Sequence, residues 1–329
     1  MRREGTICLG IESTAHTFGV GIVSSNGEIL ANENDIYRPR SGGIHPREAA
    51  QHHASVAHHV LRRAISRAGV NLGEVDVIAF SYGPGLGPCL RTGATIARAL
   101  ALKLRRPLVA VNHGVAHIVI GKLTTGFKDP VVLYVAGGNT LVTTLHEKRY
   151  RLLGETLDIA AGNCLDVFGI KAGIGPMPAP EEYAKLGKVF YPLPLQVKGM
   201  DVSFSGLLTS AEKLLEAGKA VPDIALSLTE TIYAMLTEVL ERALALTQKK
   251  EVLLVGGLAR SRRLQQMITE MVKIHGAEFK PIPDQFLGDN GAMIAWNGLK
   301  MFLSGHETSI ERSFVKPRLR LDETEVTWD

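Results

Sequence analysis

The chain has little cysteine, few aromatic residues and no long apolar run. Its three cysteines, Cys8, Cys89 and Cys164, are odd in number and far apart, which argues against a disulfide framework and against a paired-cysteine zinc site. They favour a reducing compartment, and we expect a cytoplasmic protein. Charged or polar residues interrupt every apolar stretch before the length of a transmembrane helix is reached, and no signal peptide precedes the first strand. We therefore expect no membrane association.

Composition and charge indicate a globular α/β protein of about two domains. Hydrophobic residues make up 45% and charged residues 21% of the 329 residues, and glycine is abundant, with 34. The net charge of +4 agrees with a nucleic-acid partner but is equally common in other soluble proteins. Basic clusters occur at 38–40, 62–63, 105–106 and 260–263, each also typical of a solvated loop or helix end.

Two histidines four residues apart, His113 and His117, are the sharpest local feature. On a helix this spacing places both rings on one face, one turn apart, where they can share a divalent metal. Two surface histidines are the simpler alternative. A zinc peptidase helix carries Glu directly after its first histidine as general base, and here that residue is Gly114, so a metallopeptidase is disfavoured.

The chain shows the same strand pattern twice. Residues 7–23, followed by the turn Asn26-Gly27 and another strand, and residues 131–153 each alternate strand, tight turn, strand, hairpin turn and strand. We predict helices over 47–68, 89–104, 204–216, 224–247, 258–274 and 289–304, and buried strands over 75–80, 108–111 and 251–255. This predicts a duplicated α/β fold with an N-terminal lobe (1–128) and a C-terminal lobe (129–288) around a nucleotide cleft. The helix and tail of 289–329 are predicted to return to the N-terminal lobe.

Glycine pairs mark candidate phosphate-binding turns. Gly137-Gly138 follows one predicted strand and Gly256-Gly257 follows another. Bare backbone at such turns can approach a ligand and direct N–H groups at phosphate oxygens, although most single pairs are plain turns. The loop 83–88 is either a ligand wall or a strand-to-helix connector.

These motifs in combination resemble a known family. They are Gly10-Ile11-Glu12-Ser13-Thr14, Gly42-Gly43-Ile44-His45-Pro46, the loop 81–88, His113 to His117, Gly154 to Asp158, Lys198 to Gly206 and Asp289 to Ala295. The frame resembles the superfamily of actin, sugar kinases and heat-shock chaperone ATPases. More narrowly, the chain resembles the tRNA N6-adenosine threonylcarbamoyltransferases, formerly called O-sialoglycoprotein endopeptidases, whose archaeal and eukaryotic members are catalytic subunits of the KEOPS complex.

The resemblance implies an acyl transfer assisted by a metal. A threonylcarbamoyl group passes from threonylcarbamoyl-AMP to N6 of adenosine 37 in tRNAs that read codons beginning with A. It implies one iron or zinc ion bound by His113, His117 and Asp289, with Tyr134 beside it, which polarises the donor carbonyl. Asp289 alone would suggest only the N-cap of the last long helix. No side chain is assigned as a covalent nucleophile.

The resemblance also implies an adenine-nucleotide site, for the donor or for ATP. Its residues are Tyr134, Val135, Ala136, Gly137, Gly138, Asp166, Gly256, Gly257 and Ser261. Three departures from the family pattern bear on this site. Ala136 stands where Ser is usual, Ser261 stands where Asn is usual, and the segment 175–183 differs from the usual glycine-rich run with its downstream Glu.

The implied partners are tRNA, a small kinase-like ATPase subunit and a dimerising helical subunit of a KEOPS-type complex. The helix 47–68 is a plausible docking surface for such a subunit, and most of its histidines, His52, His53, His58 and His59, are expected to be solvated or partner-facing. The alternative function is a nucleotide-gated scaffold without its own catalysis. A sugar kinase is disfavoured because no convincing Asp base is present.

Overall fold

The computed structural model describes residues 5–39 and 43–328, so Arg40 and Gly42 of the predicted motifs lie outside the described residues. Its strands are β1 Ile7–Glu12, β2 Thr17–Ser24, β3 Ile29–Ile36, β4 Val77–Gly83, β5 Leu108–Asn112, β6 Val131–Val135, β7 Thr140–His146, β8 Arg149–Glu155, β9 Val197–Lys198, β10 Asp201–Val202, β11 Glu251–Val255 and β12 Glu278–Phe279. Its α-helices are α1 Pro46–Ala68, α2 Gly87–Leu104, α3 His113–Thr125, α4 Ala161–Lys171, α5 Ala179–Ala184, α6 Ser205–Glu216, α7 Val221–Thr247, α8 Arg262–Ile274 and α9 Gly291–Leu303.

The chain divides into two compact units. Unit 1 comprises the described residues of Met1–Thr124 and Gly288–Asp329, and unit 2 comprises Thr125–Leu287. The five-stranded sheet of unit 1 has the order β3-β2-β1-β4-β5, and that of unit 2 has the order β12-β11-β6-β7-β8. In each sheet three antiparallel strands lead into two parallel ones. This repeated topology confirms the predicted duplicated α/β fold.

Unit 1 buries both faces of its sheet. Strand β1 alternates, and Ile7, Leu9 and Ile11 pack into a core that includes Val60 of α1 and Ala94 of α2. Burial of the aliphatic side chains on this face stabilises the unit by about 25 cal/mol for each Å² of apolar surface removed from water.

The other face of that sheet is lined with glycine and receives α9. A Cβ built on Gly10 would lie 2.1 Å from the Ala295 nitrogen, and one on Gly21 would lie 2.2 Å from the Ala292 nitrogen. Helix α9 therefore rests on bare strand backbone, a distance that only glycine permits.

The chain after α9 forms an extended segment across unit 1, which we call the C-terminal strap (residues 306–328). Thr308 N donates to the Leu108 carbonyl oxygen (2.7 Å) at the β5 edge, and Lys316 N donates to the Tyr82 carbonyl oxygen (2.6 Å). Trp328 Nε1 donates to Asn297 Oδ1 of α9 (2.7 Å). The strap is thus fixed to both the sheet and α9.

Most predicted helices and strands occur within a few residues of their predicted bounds. Two predictions for the second half were wrong in detail. The predicted helix 258–274 is a 3-10 turn, Gly257–Arg260, followed by α8, because Ser261 caps α8 through its side chain, which accepts from Leu264 N. The last helix begins at Gly291 and not at Asp289, because Asn290 is its N-cap. None of the helices in the described part of the chain has the length and hydropathy that a bilayer-spanning segment needs.

Candidate active site

The two predicted metal-binding histidines lie on the first turns of α3. Strand β5 ends at Asn112, whose side-chain Oδ1 accepts from Gly114 N (2.9 Å) and Val115 N (3.3 Å). This cap starts the helix at His113 and places His117 one turn further on the same face. The two rings are nearly perpendicular, with centroids 4.7 Å apart.

Asp289, two residues before the start of α9, is the third member of the cluster. Its Oδ1 lies 3.4 Å from His113 Nε2 and 3.3 Å from His117 Nε2. Asn290, not Asp289, caps α9 by accepting from Met293 N (3.0 Å). The Asp289 carboxylate is therefore left to face the histidines.

The donor set of these three side chains fits a divalent metal. The three ligand atoms lie within 4.8 Å of one another, and the donors of a tetrahedral ion at about 2.1 Å lie roughly 3.4 Å apart. Both histidines are buried, and Asp289 is partly exposed. Two imidazoles and one carboxylate leave coordination positions for a substrate, as catalytic sites require.

A buried carboxylate behind His113 supports the same interpretation. Glu12, at the end of β1, is fully buried, and its Oε2 lies 3.0 Å from His113 Nδ1. Thr14 N donates to Glu12 Oε1 (2.7 Å). A carboxylate that accepts from Nδ1 fixes the tautomer in which Nε2 can bind a metal, as second partners of metal-binding histidines commonly do.

The electrostatics of the cluster are strongly coupled. Burial opposes the charged imidazolium of His113, but the carboxylates of Glu12 and Asp289 outweigh it and raise the pKa of His113 to about 10. Burial is the main cause that lowers the pKa of His117. Burial alone would raise the pKa of Asp289, yet the neighbouring His113 holds that pKa well below its ordinary value.

Unit 2 presents the predicted phosphate-binding turn at the end of β6. Ala136 N donates to the Asn139 carbonyl oxygen (2.8 Å) and closes the turn. Gly137 and Gly138 are exposed, and a Cβ on either would meet no atom within 4 Å. A Cβ on Gly162, in the first turn of α4, would lie 2.8 Å from the Ala136 carbonyl oxygen. The N-terminus of α4 thus packs directly against the turn.

The second glycine pair lies beside the first. Strand β11 pairs with β6 in parallel, so that Val255 is opposite Tyr134. Gly256 has a φ of +96°, and its Cβ position lies 2.3 Å from the Val135 carbonyl oxygen. Only glycine fits there, while Gly257 is exposed with open space around it. Tyr134 and Val135 are buried within β6, so a contact between Val135 and a ligand would be made by its backbone.

The remaining predicted nucleotide contacts are already engaged with protein groups. Asp166 Oδ1 accepts from Met177 N (2.8 Å) and so holds the divergent segment 175–183 against α4. Ser261 is buried, caps α8 and donates its hydroxyl hydrogen to Glu181. Glu181 lies in that divergent segment and was not assigned from the sequence.

Three residues that the sequence interpretation missed thus contact predicted site residues or hold them in place: Glu12, Asn112 and Glu181. Glu12 belongs to a motif that was recognised, and a carboxylate at the end of a buried strand by itself indicates a candidate site residue. Asn112 directly precedes a helix, which is the typical position of a capping Asn. Glu181 had no such local signal.

Most of the α1 histidines were expected to be solvated or partner-facing, and three of the four are at least partly exposed. His58 and His59 are exposed and His52 is half-buried, whereas His53 is fully buried and its Nε2 lies 3.0 Å from the Ala15 carbonyl oxygen. His53 therefore anchors the loop that follows Glu12.

The three cysteines are buried and form no disulfide, as expected.

Solved structures with the same fold include HypF from T. kodakarensis. It is 16% identical, with a TM-score of 0.62, and the match covers 94% of this chain and 49% of that chain. The (R)-2-hydroxyglutaryl-CoA dehydratase component A of Acidaminococcus fermentans is 13% identical, with a TM-score of 0.57 and coverage of 90% and 98%. At such identities the likeness concerns the fold alone.

Curated relatives are far more similar in sequence. A tRNA N6-adenosine threonylcarbamoyltransferase of Thermofilum pendens is 54% identical over 97% of this chain and 96% of its own length. That of Caldivirga maquilingensis is 53% identical over 98% of each chain. A protein of Methanothermobacter thermautotrophicus, described as a probable bifunctional tRNA threonylcarbamoyladenosine biosynthesis protein, is 52% identical over 98% of this chain and 61% of its own length.

Residues 27–296 match the family model described as tRNA N6-adenosine threonylcarbamoyltransferase. Together with relatives that share half or more of their residues over nearly the whole chain, this match confirms the resemblance. The chain belongs to the tRNA N6-adenosine threonylcarbamoyltransferase family.

Proposed function

We propose that the chain transfers the threonylcarbamoyl group from threonylcarbamoyl-AMP to N6 of adenosine 37 in tRNA, with His113, His117 and Asp289 holding the metal. The family assignment establishes a tRNA-modifying transferase. The observation that carries the metal-assisted mechanism is the convergence of two imidazole Nε2 atoms on one carboxylate oxygen. Nothing in the comparisons favours a scaffold without catalysis.

In this mechanism a bound iron or zinc ion would supply Lewis-acid polarisation of the donor carbonyl. The N6 amine of adenosine attacks the carbonyl carbon and a C–N bond forms. The bond between that carbon and the phosphate oxygen breaks, AMP leaves with the oxygen, and the proton of the amine passes to water. Glu12 holds His113 in the tautomer with Nε2 directed at Asp289. Because the nucleophile is part of the tRNA, positioning contributes most of the remaining rate enhancement.

The donor nucleotide is assigned to the turns of unit 2. The exposed glycines at 137, 138 and 257 leave backbone N–H groups open to phosphate oxygens, and the N-terminus of α4 beside the first turn favours an anion. ADPNP is bound in a dehydratase activator of Clostridium difficile that shares the fold. Glu181 and Ser261, with Asp166, would contact the nucleoside.

We also propose that the chain works within a KEOPS-type complex. Helices α1 and α2 form a groove of about 660 Å³, lined by small residues such as Ala54 and Ala57 together with Leu61 and Ile96. A groove of this shape suits a helix of the dimerising subunit. The bifunctional relative carries additional sequence beyond the matched part, which agrees with a functional link to a second protein. Ala54→Arg should abolish co-purification of that subunit, whereas Arg67→Ala, further along α1, should not.

The experiment that tests the metal mechanism compares His113→Ala with the wild-type chain. The variant should lose the bound metal, measured by elemental analysis and by Co²⁺ titration, and lose transferase activity at the same time, while circular dichroism remains unchanged. His59→Ala, an exposed histidine of α1, serves as the matched control. Full transfer activity in a metal-free His113→Ala protein would overturn the mechanism.

A further inference from the structure

We infer that the segment 312–318 of the C-terminal strap is a docking surface for the phosphate backbone of the tRNA substrate. The inference rests on the tRNA-modifying function and concerns where on this chain the RNA lies. Three surface cations carry it, Arg312, Lys316 and Arg318, which together we call the basic ridge.

The strap packs some of its side chains against unit 1 and exposes others. Ser313, Leu319 and Leu321 are buried, whereas Arg312, Lys316 and Arg318 are exposed. Arg312 ends a 3-10 turn, Ile310–Arg312, and the buried residues on both sides of Lys316 and Arg318 hold that part of the strap on the unit.

The cations of the strap lie in one short stretch. Residues 312–320 contain four cations and no carboxylate, and the five carboxylates of the strap all lie before or after that stretch. Within the described ranges 5–39 and 43–328, none of the three ridge cations lies in an ion pair. Arg320 is excluded from the ridge because it pairs with Asp322 Oδ1 (3.1 Å). A polyanion binds exposed cations of this kind favourably, because no carboxylate of the protein neutralises them and because binding releases counterions.

An aromatic side chain interrupts the row of cations. Phe314 is 73% exposed between Arg312 and Lys316. An exposed ring among cations suits stacking with an unpaired base, because every base has a π face and single-stranded RNA can turn its bases outward.

The strap also places the ridge close to the metal-binding residues. Gly85 N donates to the Pro317 carbonyl oxygen (3.1 Å), and Leu86 N donates to the Thr14 carbonyl oxygen (2.7 Å). Thr14 in turn bonds Glu12, the partner of His113. Two backbone contacts between loops of unit 1 therefore connect the ridge to the candidate metal centre.

The test is a triple variant, Arg312→Gln, Lys316→Gln and Arg318→Gln, in the full chain. Its matched control, Lys103→Gln, Arg149→Gln and Lys273→Gln, removes the same charge from exposed positions elsewhere. The affinity for unmodified tRNA is measured over a series of salt concentrations. The ridge variant should bind about 10- to 100-fold more weakly, with the slope of log Kd against log salt reduced by about 2 to 3, and Phe314→Ala should weaken binding without changing that slope.

Equal losses in the ridge and control variants would overturn the inference, because they would show that only net charge matters. Unchanged tRNA binding with lost binding of a protein subunit would overturn it in favour of a protein interface. An unchanged unfolding temperature in both variants confirms that a loss of binding is not a loss of fold. If the wild-type chain binds tRNA through the ridge but transfers no acyl group to it, the proposed function fails while this inference stands.

Discussion

Glu12 Oε2 lies 3.0 Å from His113 Nδ1, although 101 residues separate the two in the chain. The Glu12 carboxylate is fully buried and would be costly to leave unpaired in the interior. Its partners, His113 and Thr14, satisfy it from two sides. The relationship makes Glu12 a positioning residue for the candidate metal centre.

Glu12→Gln should lower the affinity for Co²⁺ or Zn²⁺ by about 10-fold or more, the range usual for partners of metal-bound histidines. The amide is nearly the same size but no longer carries the charge that strengthens the hydrogen bond to His113 Nδ1. Competition with a chromophoric chelator measures the affinity. Glu28→Gln, an exposed position after β2, is the control, and an unaltered metal affinity in Glu12→Gln would refute the role.

Asn112→Ala should destabilise the protein and loosen the metal site together. Asn112 caps α3, and its Nδ2 also donates to the Arg320 carbonyl oxygen (3.1 Å) and to Thr324 Oγ1 (2.8 Å) of the strap. Loss of the cap and of buried partners should reduce the free energy of unfolding by about 2 to 3 kcal/mol. Urea denaturation checks this value.

Thr324→Val isolates the strap contact, because it removes one acceptor and keeps the cap. It should reduce the free energy of unfolding by only about 1 kcal/mol. If Thr324→Val were as damaging as Asn112→Ala, the cap would not be the dominant contribution.

The stability of the protein should depend on pH through His53. Burial lowers the pKa of His53 to about 4, against the opposing effect of the Ala15 carbonyl oxygen. In the unfolded chain the pKa of the ring is near 6.5. Between pH 6.5 and about pH 4 the ring is therefore protonated in the unfolded state but neutral in the folded state. Stability therefore falls as the pH is lowered through this window, by up to about 3 kcal/mol.

Denaturation of the wild type and of His53→Gln at pH 7 and pH 4.5 measures this linkage. The glutamine can still donate to Ala15 but does not titrate, so the variant should lose less stability than the wild type over the same interval. Equal pH dependence in the two proteins would contradict the assignment.

Ser261→Ala should cost about 1 kcal/mol of unfolding free energy, the usual effect of losing an N-cap. It should also weaken adenine-nucleotide binding, because Ser261 orients Glu181. Ser261→Asn retains a capping side chain, so its stability should stay near that of the wild type. Thermal unfolding and nucleotide titration of the two variants distinguish capping from ligand contact.

The sequence predicted what depends on local pattern or on the family motifs. The i, i+4 spacing of His113 and His117 predicted that both rings lie on one face of α3, and the resemblance added Asp289, which the fold brings to the same cluster. The repeated pattern of strands and turns predicted the duplicated fold, which the two five-stranded sheets confirm. These features need no knowledge of how distant segments pack.

The sequence did not predict what depends on long-range burial. His53 resembles its neighbours on α1, and only the approach of the loop at Ala15 makes it a buried residue. Asp289 was assigned as the helix start because Asp and Asn both cap helices well, and only the position of the histidines decides between them. Glu181 became identifiable once folding brought its segment to Ser261.

The glycine-lined face of the unit 1 sheet has a consequence for the position of Asp289. Because α9 lies on strand backbone at Gly10 and Gly21, a methyl group at either position would push the helix away from the sheet. Asp289 lies two residues before the first residue of α9, so its carboxylate would move away from His113 and His117. The spacing of the three candidate ligands thus depends on two glycines that contact none of them.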